Sequence, residues 1–204
     1  MTEERLGASG TGTAARFASA VIALGLVGVL VGCGKSASPA TSGSPGKTAS
    51  AYVSAMCSSL MTWGQAFKTE AGNLQSKVAA APTLADKKQV FVDFTDNLTT
   101  TTDTLIGRIR GLGVPAVDGG AAVESQLVTA FQRARETLAA AHDKAKALPT
   151  DDINAFKKQV TDIGTSIGSL GDAFSGVGNM KNDALDKAFS SDPTCAQMNS
   201  LFSS

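Results

Sequence analysis

Reactive side chains are sparse in this chain of 204 residues: one histidine and three cysteines, Cys33, Cys57 and Cys195. His142 stands beside Asp143, with no cysteine or second histidine at a spacing that could close a metal site, so no metal or other cofactor is expected. A Ser-His-Asp hydrolase would need a serine on a strand-to-helix elbow, and no strand-turn-helix context accompanies His142. No catalytic residue is therefore assigned, and the chain reads as non-enzymatic. His142 reads instead as a solvated residue suited to the negative end of a helix.

Cys33 differs from the other two cysteines in what precedes it. Residues 1–16 carry Arg5 and Arg16 among small and polar residues, and Phe17 to Val31 is an apolar run. That run falls short of the roughly 20 residues that span a bilayer as a helix, and Gly32-Cys33-Gly34-Lys35 stops it. The anatomy is that of a secretory signal, with a retained transmembrane anchor as the competing use.

Leu30-Val31-Gly32-Cys33 resembles the lipobox of bacterial lipoproteins. The resemblance implies that the Cys33 thiol is diacylglycerated and that signal peptidase II cuts before it. Residues 1–32 would then be a signal peptide and Cys33 the mature N-terminus. Each buried CH₂ contributes about 0.8 kcal/mol, so one acyl chain holds weakly and two or more hold lastingly. The implied location is extracytoplasmic, with the protein lipid-anchored at the outer face of the cell membrane and Cys33 as its link to the bilayer.

Residues 33–48 supply the lipidated cysteine and a run of Gly, Ser, Ala, Pro, Thr and two lysines with no apolar surface to bury. This composition predicts a tether with a coil reach of about 20 Å. Residues 49–204, about 155 in number, suffice for one domain with its own core. The chain carries 18 basic and 18 acidic residues. Removal of the signal takes Glu3, Glu4, Arg5 and Arg16, leaving the balance at zero, so no nucleic-acid partner is expected. Lipidation at Cys33 leaves Cys57 and Cys195, and in an oxidising compartment such a leftover pair is expected to form one disulfide between the first helix and the tail. Two buried free thiols are the alternative.

The elements that must carry these groups are written in heptads. Val53, Leu60, Phe67 and Leu74 recur every seven residues, with Cys57, Gly64, Ala71 and Val78 in the second seam position. After Pro82, Thr83 and Asp86 form a capping pattern, and Leu84, Phe91, Leu98, Leu105 and Leu112 follow at intervals of seven. Thr99 to Thr102 suggests a local weakening there, because β-branched side chains restrict χ1 in helices.

Gly111, Gly113, Pro115 and Gly119-Gly120 interrupt the pattern before a third helix bearing Val123, Leu127, Ala130, Ala134, Leu138, Ala141, Ala145 and Leu148. Ile153, Val160, Ile167 and Phe174 form one seam of a fourth helix, and Phe156, Ile163, Leu170 and Val177 the other. Gly164, Gly168 and Gly171 on that helix predict close approach of a neighbour, or else a parting of helices.

The fold expected is all-α: an antiparallel up-down four-helix bundle with a short fifth C-terminal helix at about Asn182 to Phe189 and one disulfide. A long oligomerising coiled coil is the competing use of the same period. Lipobox, tether and Ala-rich helical domain together resemble the small secreted helical lipoproteins of actinobacteria. The function that follows is a membrane-anchored, non-enzymatic cell-envelope lipoprotein that presents a helical bundle as an interaction or structural module to an envelope protein partner. The alternative is a lipoprotein carrying a lipid or other hydrophobic small molecule between its helices, lined by Phe156, Ile163, Ile167, Leu170 and Phe174.

Overall fold

The computed structural model describes residues 46–174 and 182–203, and every regular element in them is helical. Helix α1 spans Ala49–Ala80, α2 Leu84–Leu112, α3 Gly120–Lys146 and α4 Ile153–Gly168. A 3-10 helix, Ser169–Phe174, continues from α4, and α5 (Asp183–Ser191) and α6 (Pro193–Ser203) complete the order. Cys33 and the signal sequence lie outside the described residues, as does Val177.

Local chemistry sets the boundaries. The Thr48 hydroxyl accepts from the Ala51 N–H at 3.3 Å and opens α1. At α2 the expected capping box is present: Thr83 Oγ1 accepts from Asp86 N at 3.1 Å, and Asp86 Oδ2 accepts from Thr83 N at 3.2 Å. Gly113, with φ of 72°, ends α2 in the left-handed region that favours glycine. Gly119 (φ 70°) leads into Gly120, where a Cβ would collide with the Pro115 carbonyl oxygen. Asp152 caps α4 by accepting from Asn154 N at 2.8 Å and Ala155 N at 3.1 Å.

Helix α2 packs against α1 on one side and α3 on the other, α4 packs on α3, and α5 and α6 pack on α1. Along this arrangement the core changes composition. Near the start of α1, Tyr52 and Trp63 pack with Leu105, Ile106, Ile109, Leu127, Val128 and Phe131. Near its end, Leu74 and Val78 pack on a cluster of Phe91, Ala141, Ala145, Leu148, Phe156 and Ile163. Between them lie Phe94, Leu98, Ala134, Leu138 and Leu170. The alanine positions of α3 are buried where the heptads put them, which permits close approach of its neighbours.

Several expectations are corrected. Helix α4 stops at Gly168 instead of running on through the second seam, and the chain tightens there into the 3-10 helix. Gly168 is exposed, and a Cβ there would meet nothing within 4 Å, so it marks a helix end and no close packing. Ile153, placed in a seam by its spacing, is 45% exposed because it is the first residue of α4. The C-terminal segment holds two helices, α5 and α6, where one short helix was expected.

The threonine run does not interrupt α2. Thr95, Thr99, Thr101, Thr102 and Thr104 each donate their hydroxyl to the carbonyl four residues earlier, at 2.7 to 3.0 Å. The side chains thereby satisfy themselves inside the helix, and Thr95 and Thr102 are fully buried.

Candidate functional site

Cys57 in the third turn of α1 and Cys195 near the start of α6 stand at disulfide distance, with S–S 2.00 Å and Cα–Cα 5.1 Å. Both are fully buried, among Val53, Ala188 and Met198. The local sequence aims Cys195. Asp192 caps α6, its Oδ1 accepting from Thr194 N at 2.8 Å and Cys195 N at 3.2 Å. Burial works to raise the Asp192 pKa, but bonds from Cys195, Ser54 and Thr194 outweigh it and hold the carboxyl below its ordinary value. Lys68 Nζ donates to the Leu201 carbonyl at 3.0 Å, a second tie between α1 and the tail.

A polar seam crosses the three long helices. Trp63 Nε1 donates to Thr102 Oγ1 at 3.0 Å, and the same hydroxyl donates to the Leu98 carbonyl at 2.8 Å. Two turns earlier on α2, Thr95 Oγ1 lies 3.2 Å from His142 Nδ1. His142 is thus half-buried against α2 and is not the solvated residue its position in the sequence predicts. The Trp63 ring meets Phe131 edge-on at 5.8 Å and Phe67 at 5.8 Å with a tilt of 47°. Sequence reasoning missed Tyr52, Trp63, Thr95 and Thr102 as core residues. Trp63 falls outside both assigned seams, and the threonines are polar.

Tyr52 is fully buried, and its hydroxyl has no hydrogen-bond partner. Desolvation, and after it the nearby Glu124 carboxylate, push its pKa up to about 12.

The residues proposed to line a ligand site are brought together, but as packing. Phe156, Ile163 and Leu170 are 4%, 1% and 6% exposed. Phe156 meets Phe91 edge-on at 6.1 Å, and Ile167 is half-buried between two core clusters. The Phe174 side chain lies outside the described residues. Two shallow surface grooves are lined by other side chains. One, of about 340 Å³, lies between α1 and α2 over Thr69, Glu70, Asn97 and Thr101. The other, of about 410 Å³, lies between α3 and α4 over Lys144, Gln159, Asp162 and Ser166.

Among the described residues, no group of three or more His, Cys, Asp or Glu is placed to hold a metal ion, and no helix is long and apolar enough to cross a membrane. The Arg135–Asp103 pair, at 3.1 Å and exposed, is a surface ion pair of small energetic weight. No family model, curated protein or solved structure matches the chain.

Proposed function

We propose that the chain is a membrane-anchored, non-enzymatic lipoprotein of the cell envelope, held by acyl chains on Cys33 and presenting its helical domain as an interaction or structural module. The observation that carries this reading is Leu30-Val31-Gly32-Cys33 at the end of an apolar run, followed by a segment of tether composition. The start of α1 at Ala49, where that composition gives way to heptads, supports the division of labour between leash and domain. In this reading Cys57 and Cys195 form a disulfide after export, closing a small domain against unfolding outside the cell.

The arrangement we infer is an up-down bundle: α1, α2 and α3 run antiparallel, with the fourth place filled by α4 at one end and α5 at the other. Support comes from Phe156 of α4 packing with Leu74 and Val78, and from Leu185 of α5 packing with Tyr52 and Leu105. The carrier alternative draws less support, because Phe156, Ile163 and Leu170 are spent on core packing.

Cell fractionation of a C33S variant tests the proposal. The native protein is expected in the membrane fraction and C33S in the soluble extracytoplasmic or medium fraction. Identical partitioning of the two would remove the anchor and with it this function.

A further inference from the structure

The chain enters the domain pinned to one end of it. Ala116 N donates to the Lys47 carbonyl at 2.8 Å, which ties the segment before α1 to the loop between α2 and α3. Gly46 lies so close to that loop that a Cβ would stand 2.5 Å from the Val114 carbonyl oxygen. The start of α5 meets the same loop, with Asn182 Nδ2 donating to the Asp118 carbonyl at 2.8 Å. The far end of α1 is elsewhere: Lys87 of α2 donates to the carbonyls of Val78 and Ala81, next to the cluster of Leu148 and Phe156.

Two lengths then decide the orientation. Helix α1 has 32 residues, which at a rise of 1.5 Å per residue separates the two ends by about 48 Å. About a dozen residues join Cys33 to Gly46, and a coil of that length reaches about 20 Å. That typical reach is less than half the length of the domain the leash holds.

We propose that the domain stands with its α2–α3 loop toward the bilayer and its α1–α2 and α3–α4 connections outward, and that Val114 is the residue that meets the lipid. This rests on the lipidation of Cys33 proposed above. Among the described residues, Val114 and Ile153 are the two large apolar side chains that stand out as exposed, at 47% and 45%. They sit at opposite ends. Val114 is on the pinned loop, held within the leash's reach of the membrane, so a residue too small to bind lipid alone is kept at high local concentration there. Ile153 opens α4 at the other end and is presented away from the membrane, where a protein partner has access. The near end carries both signs of charge, Lys47, Arg108 and Arg110 against Asp118 and Asp183, so the tether and not anionic headgroups sets the orientation.

The test uses the full lipidated protein reconstituted in phosphatidylcholine vesicles, part of whose lipid carries bromine on the acyl chains as a fluorescence quencher. Variants V114W and I153W are compared with the native protein, whose single tryptophan is common to all three. Emission added by V114W should be lost as brominated lipid increases, while that added by I153W should hold. Lengthening the tether by about 80 Gly and Ser residues, enough for its coil reach to match α1, should abolish the difference. Equal loss for both variants on the native tether, or loss for I153W alone, with the protein still floating with vesicles, would overturn the orientation. Native protein that fails to float with vesicles would overturn the lipid anchor, a separate failure.

Discussion

Trp63 Nε1 donates to Thr102 Oγ1 across the α1–α2 interface at 3.0 Å, and Thr102 in turn donates to the Leu98 carbonyl, so one buried hydroxyl satisfies an indole N–H and is itself satisfied. T102V keeps the shape and removes the acceptor, so the indole N–H is left buried without its partner, at a cost of about 1–3 kcal/mol. Urea denaturation followed by tryptophan fluorescence reads the loss, and T102S should recover most of it. A T102V variant as stable as the native protein would show that the bond contributes nothing.

The Cys57–Cys195 pair closes a loop across 138 positions of sequence, nearly the whole domain. In the chain-entropy model a crosslink over that span contributes about 5 kcal/mol, and removal of comparable native crosslinks costs about 2–5 kcal/mol. Denaturation midpoints with and without reductant should differ accordingly, and the double variant C57A/C195A should match the reduced native protein whether or not reductant is present. Identical midpoints would mean that the two sulfurs are not bonded.

Tyr52 is the chain's single tyrosine, so its ionisation can be followed without interference. Its pKa in the folded state is about 12, above the ordinary value of 10.0, because desolvation and Glu124 disfavour the phenolate. The unfolded chain releases this proton first. The stabilisation is therefore full below pH 10 and is lost as pH rises from about 10 to about 12. Tyrosinate absorbance should appear late and together with unfolding, and Y52F should lose that part of the alkaline destabilisation. A phenol that titrates at its ordinary pH in the folded protein would contradict its burial.

Phe156 is core, packed edge-on against Phe91. F156A should cost about 3–5 kcal/mol in chemical denaturation. Native mass spectrometry of the unaltered protein should give the mass of the protein and its acyl groups alone. A further bound apolar molecule that F156A releases would restore the carrier alternative.

Much of the helical layout was legible because the apolar period, the capping residues and the glycine breaks agree. Thr83 and Asp86 cap α2, Gly113 closes it, and Leu127, Leu138 and Leu148 are buried at the predicted spacing. The polar interior was not legible. Thr95 and Thr102 enter the core because their hydroxyls bond to carbonyls of their own helix and then face His142 and Trp63, partners that only folding brings near. The length of α4 was misread for a related reason: the heptad continues through Leu170, but Gly168 ends the helix, and the seam is completed from a 3-10 turn. Asp192 capping the helix that carries Cys195 could have been found from Asp-Pro-Thr-Cys, an N-cap residue followed by proline at the first helical position.

The lipid on Cys33 is the claim on which location, orientation and presentation depend. Metabolic labelling of cells with an alkyne palmitate, followed by capture of this protein, tests it directly. The account predicts label on the native protein and none on C33S. A native protein that carries no label would contradict the account.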